Sequence, residues 1–78
     1  MVFDKVRQII SEQFNISEDE ITLLTSFVDD LNADSLDVFQ VIMAIEEEFE
    51  MEISNDEAEK VSTVGDVVDY IKEQKGLD

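Results

Sequence analysis

Apolar residues recur at three- and four-residue spacing along nearly the whole chain, and no proline interrupts them. That rhythm restricts the fold to packed helices, because strands would need alternation. Phe3, Val6, Ile10 and Phe14, with Ile9 beside them, predict a first helix over roughly residues 2–14. Asn15 then suits a left-handed cap position, with Ile16 as the apolar contact such a cap favours. Ser17 and Glu20 have capping-box spacing, but only a turn follows. Residues 15–34 form a long crossover, which Ile21, Leu23, Leu24, Phe27, Val28 and Leu31 are placed to pin across the helices. Asp34 is a good N-cap for a second helix from Ser35 to about Glu50, with Asp37 in its first turn. Ser54 and Glu57 suggest another capping box ahead of a short helix at roughly 55–60. Thr63 and Asp66 repeat the pattern for a last helix. Val64, Val67, Val68 and Ile71 form its stripe, Lys72 and Lys75 suit its end, and Gly76 stops it. The expectation is all-α: a small four-helix bundle, three helices longer and one short, with a long first crossover loop.

Seventy-eight residues make a single domain over 1–78, and a hydrophobic content of 44% is enough for it to fold. With no Cys and no His, the chain has no disulfide, no Cys–His or Ser–His–Asp catalysis, and no haem ligation through either residue. A non-catalytic protein is expected. Charge is the other strong signal. Between Gln8 and Glu59 stand sixteen acids and not one Lys or Arg, while the two ends balance, so the net charge of −16 belongs to the middle. Such a field repels nucleic acid and anionic lipid and draws in basic proteins. A solubility coat is the plainer explanation, but solvated helices usually mix signs, which favours a docking surface. The first residues lack a long apolar run, so neither a signal peptide nor a membrane span is expected, and the cytoplasm is the default.

On a helical wheel of the second helix, Val38, Val41, Ile42, Ile45 and Phe49 share one arc, and Asp37, Gln40, Glu47 and Glu48 the opposite side. Leu36 and Met43 fall beside Gln40 and Glu47, outside the apolar arc. Two readings stand level: a docking stripe bordered by acids, or a wide core face touching the crossover. Ser35 sits in the first turn, where unpaired N–H groups and the positive end of the dipole favour an anion. A lone Ser at a helix start is usually only a cap.

The run Phe27-Val28-Asp29-Asp30-Leu31-Asn32-Ala33-Asp34-Ser35-Leu36 resembles the attachment motif of acyl carrier proteins. Met43-Ala44-Ile45-Glu46-Glu47-Glu48-Phe49 is similar to the rest of their second helix. Glu57-Ala58-Glu59-Lys60-Val61 and Thr63-Val64-Gly65-Asp66 are similar to their third helix and the start of their fourth. The resemblance implies that Ser35, flanked by Asp34 and Leu36, carries 4′-phosphopantetheine, donated by coenzyme A through a phosphopantetheinyl transferase. Acyl intermediates then ride as thioesters on the arm to fatty-acid synthesis enzymes with basic patches. It further implies a partner face of Asp34, Asp37, Glu46, Glu47 and Glu59, with Leu36, Met43 and Val61 as apolar contacts. The acyl cavity would involve Phe27, Ile45, Ile53, Ala58, Val61 and Tyr70. A monomer is expected.

Two departures bear on the site. Asn32 stands where the family usually has Gly, and Asn is the next most tolerant of positive φ, so the turn is expected to survive. Gln40 occupies a partner-face position where an acid is common, which weakens one electrostatic contact. Three other readings remain open on the sequence. Asp30, Asn32 and Asp34 fit the first ligand positions of an EF-hand, but Ser35 and Val41 stand where Gly and Glu are needed, so no specific metal site is expected. The same arm would serve a carrier of amino-acid or polyketide intermediates, although the Glu46-Glu47-Glu48 run favours the fatty-acid type. An acidic binding module that is never modified is the third.

Overall fold

A computed structural model describes residues 2–76. In chain order they form α1 (Val2–Phe14), a 3-10 turn (Glu18–Glu20), α2 (Ser35–Phe49), α3 (Asn55–Lys60) and α4 (Val64–Lys75). The expected helices are all present, with α2 ending one residue early. Helix α1 packs against both α2 and α4, whereas α3 leans on α2. The buried stripes of α2 (Val41, Ile42 and Ile45) and α4 (Val64, Val67, Val68 and Ile71) are those the spacing marks; α1 buries Val6 and Ile10 as expected and also Val2, while Phe3, Ile9 and Phe14 are only half-buried. Val38 and Phe49, in the first and last turns of α2, are only half-buried.

Each helix starts and stops for a local reason. Asn15 takes φ 56°, and the Ile16 N–H closes back on the Ser11 carbonyl at 3.1 Å, satisfying an orphan acceptor of the last turn. Asn32 takes φ 54°, so the turn expected of a Gly is made by Asn. Thr63 and Asp66 form a full capping box at α4, and Gly76 ends that helix in the left-handed region. Ser54 completes only half of the expected box: its hydroxyl accepts from the Glu57 N–H, but the Glu57 carboxylate does not return the bond and instead reaches Lys60 at 3.9 Å. Glu50 caps α2 at φ 52°, a left-handed position held by a residue with a full side chain.

The crossover is anchored differently from expectation. Ile21 and Phe27 are buried and Leu31 partly so, but Leu23, Leu24 and Val28 are exposed. Backbone pairing with the approach to α4 supplies the missing restraint. Phe27 N–H donates to the Ser62 carbonyl at 3.0 Å, Val64 N–H to Thr25 at 2.9 Å, and Gly65 N–H to Leu23 at 2.8 Å. These bonds frame an antiparallel bridge between Ser26 and Thr63. With the main chain held, three of the six apolar side chains are free to face solvent.

Candidate functional site

Ser35 is placed by a relay of backbone bonds. Phe27, buried at 1% exposure, receives its position from Ser62 through the bond above. Its own carbonyl accepts the Ala33 N–H at 2.8 Å. Asn32 turns the chain just before that contact, Asp34 follows in extended conformation, and α2 begins at Ser35. Asp34 and Asp37 cap the helix reciprocally. The Asp34 carboxylate accepts the Asp37 N–H at 2.9 Å, and the Asp37 carboxylate accepts the Asp34 N–H at 3.3 Å. The sequence marked Asp34 as the cap and Asp37 only as a favourable charge; their box is an addition. Since Asp34 is the cap, Ser35 is not needed as one, and its side chain is exposed.

Beside Ser35 opens a cleft of about 400 Å³. Val28, Ala33, Val38 and Phe39 line it from the crossover and α2; Ala58, Glu59 and Val61 line it from the region of α3. Asp34 and Ser35 complete the lining. The site therefore joins a reachable hydroxyl, a helix start and a mainly apolar recess, the features expected around an anionic linker with an apolar cargo. The residues fit a phosphopantetheine arm: Ser35 would hold it, with the Leu36 and Ser35 amides at the helix start and the cleft alongside. Phe39 was not singled out in the sequence. An aromatic outside the core arc, next to Leu36, was the signal for it.

Of the six positions implied for an acyl cavity, Ala58 and Val61 line this cleft. Phe27, Ile45 and Ile53 lie in the closed core, and Tyr70 packs partly buried against it. On the implied partner face, Leu36 and Met43 are 64% and 62% exposed, so neither belongs to the core face of α2. Glu47 and Glu59 are exposed as well. Four polar members are engaged within the fold. Asp34 and Asp37 cap α2, the Gln40 carbonyl oxygen accepts from the Gln13 amide of α1, and the Glu46 carboxylate accepts the Ile53 N–H at 2.7 Å. Among the described residues no acids converge in a group able to hold a metal, and no helix is long and apolar enough to cross a membrane. Asp30, the first of the EF-hand-like positions, accepts the Ser26 N–H at 2.7 Å.

The helical frame with one outward serine at the start of its second helix is that of a carrier domain, and the family model for the phosphopantetheine attachment site matches residues 4–71. An acyl carrier protein of Clostridium acetobutylicum is 60% identical over 72 residues, which is 92% of this chain and 94% of that protein. Acyl carrier proteins of Clostridium perfringens are 56% identical over the same length, 92% of this chain and 95% of theirs. The chain belongs to the acyl carrier protein family.

Proposed function

We propose that Ser35 is the attachment point of 4′-phosphopantetheine and that the chain carries acyl intermediates between enzymes of fatty-acid synthesis, acting as a non-catalytic, monomeric, cytoplasmic protein. The observation that carries this is the exposed Ser35 hydroxyl at an independently capped helix start, opening on an apolar cleft of about 400 Å³. The Ser35 oxygen would form the new bond to phosphorus as the pyrophosphate link of coenzyme A breaks and adenosine 3′,5′-bisphosphate leaves, with a base of the phosphopantetheinyl transferase taking the Ser35 proton. Once attached, the arm supplies a terminal thiol, on which acyl groups ride as thioesters. Asp34 and Asp37 fix the helix start so that the ester stands clear of the bundle. Leu36, Met43 and Glu47 offer an apolar band with an acidic border to partners carrying basic patches, with Glu59 and Val61 extending it at the cleft.

A chain held among Phe27, Ile45, Ile53 and Tyr70 would require the cleft to deepen between α2 and α3. Acylation should then raise the melting temperature in step with chain length, because a group bound only by the folded state stabilises it. The primary test is intact mass after incubation with coenzyme A and a promiscuous phosphopantetheinyl transferase. The chain should gain one arm, and Ser35→Ala should gain none while keeping its helicity. Modification of Ser35→Ala, or none of the parent chain, would overturn the assignment.

A further inference from the structure

Helix α3 is the least secured element of the bundle. It has six residues, buries only Ala58, and carries half a capping box. Its closing Val61 N–H reaches the Ala58 carbonyl at a long 3.3 Å. A helix this short draws no stability of its own and depends on tertiary contacts. Its region nevertheless supplies one side of the Ser35 cleft, through Ala58, Glu59 and Val61.

Besides the apolar packing of Ile53 and Ala58, one side-chain hydrogen bond ties the approach to α3 onto α2. Glu46 lies in the last turns of α2, and its carboxylate reaches seven residues on to accept the Ile53 N–H at 2.7 Å. Its backbone carbonyl accepts the Glu50 and Met51 N–H groups. Glu46 therefore holds Glu50 and Met51 through its main chain and Ile53 through its side chain, and Ile53 is buried immediately before the Ser54 cap of α3. A short bond between a carboxylate and a partly buried amide is of the charge-assisted kind. Yet Glu46 is only half-buried, and Glu47, next to it, faces solvent. One carboxylate is thus shared between an internal bond and a surface that attracts cations.

We propose that Glu46 is a latch on the Ser35 cleft: its bond to Ile53 keeps α3 against α2, and a partner cation that pairs with the carboxylate releases α3 and widens the cleft. A cation can shift this equilibrium because it binds the released carboxylate better than the engaged one. The release depends on the docking face described under the proposed function; the latch itself does not. Glu46 acts here as a positioning residue.

The experiment is amide hydrogen exchange on the full chain for wild type, Glu46→Ala and Glu46→Gln. In Glu46→Ala, exchange at Ile53 and across residues 57–61 should rise about tenfold, as for loss of a hydrogen bond to a charged group, with α1 and α4 unchanged. Glu46→Gln should restore protection, because a carboxamide oxygen accepts the same bond. Saturating phosphopantetheinyl transferase should then raise exchange at Ile53 in wild type but not in Glu46→Gln, whose neutral amide gives a cation little to hold. Unchanged Ile53 exchange in Glu46→Ala overturns the latch. Failure of Gln to restore protection also overturns it, and equal responses of wild type and Glu46→Gln to the transferase overturn the release. Mass gain at Ser35, read on the same samples, reports separately on the carrier assignment.

Discussion

Gly65 donates its N–H to the Leu23 carbonyl at 2.8 Å, and a Cβ on residue 65 would stand 2.8 Å from that same oxygen. The crossover therefore lies as close to α4 as a glycine permits. In Gly65→Ala two effects of similar size oppose each other. Alanine favours the helix by about 1 kcal/mol, while the crossover must withdraw and lose a hydrogen bond of about the same worth. Net stability should change by less than about 1 kcal/mol. Exchange at residue 65 and in the crossover should nevertheless accelerate, visible by amide hydrogen exchange. Full retention of protection would mean that the contact does not hold the loop.

Glu50 sets a second expectation. It adopts φ 52° and ψ 54° at the C-terminus of α2, where a side chain costs conformational energy and a negative charge opposes the helix dipole. No basic residue stands in the last turn of that helix to offset it. Glu50→Asn removes the charge and eases the left-handed conformation together. Urea denaturation should show a gain of about 0.5–1.5 kcal/mol. A loss would show that the Glu50 side chain has a role of its own.

Acid should loosen the start of α4. The Ser62 N–H, and after it the Thr63 N–H, donate to the Asp66 carboxylate and hold its pKa below the ordinary 3.8. A depressed carboxylate contributes stability above its unfolded value, and that contribution disappears as pH falls through the folded value. Asp66→Asn should be less stable than wild type near neutrality, with the difference narrowing below pH about 4. Urea midpoints measured from pH 7 down to pH 2 give the comparison; a constant gap at all pH would contradict the linkage.

The exposed pair on α2 separates docking from folding. Met43 is 62% exposed, so Met43→Ala should cost less than about 0.5 kcal/mol of stability. The same substitution should speed dissociation from a basic fatty-acid synthesis enzyme. Glu47→Lys should instead slow association and flatten its salt dependence, because rim charges act mainly on encounter. Surface-binding kinetics with melting curves for both variants decide the matter. A loss of several kcal/mol for Met43→Ala would assign that side chain to the core.

Much of the architecture was legible because helices advertise themselves locally. The stripes of α1, α2 and α4, the caps at Asp34, Ser54 and Thr63, and the left-handed turn at Asn15 all follow from residues within a few positions of one another, whereas the turn at Asn32 was expected from resemblance to a family. What could not be read shares a different property: it joins distant residues through groups common to every residue type. The bridge of Ser26 with Thr63 uses main-chain atoms alone, which explains why Leu23, Leu24 and Val28 looked like anchors and are not. Glu46 and Gln40 stood in the sequence as surface residues, and only the fold brings Ile53 and Gln13 to them. Ser35 itself was marked by resemblance to a family more than by its surroundings. The cleft beside it needs α3, whose position the sequence does not specify.

The relay from Ser62 through Phe27 to Ala33 also orders events in time. Proteins are synthesised from the N-terminus, and long-range contacts form only after both ends exist. The segment bearing Ser35 leaves the ribosome before the residues that seat it. Until the chain has grown past Ser62 and Thr63, the crossover has no backbone to pair with and Phe27 no fixed place. Ser35 is thus an unseated hydroxyl on a nascent chain and a presented one only on a nearly finished chain. An enzyme that recognises the folded helix start would act after synthesis and pass over fragments, so incomplete chains would not consume coenzyme A.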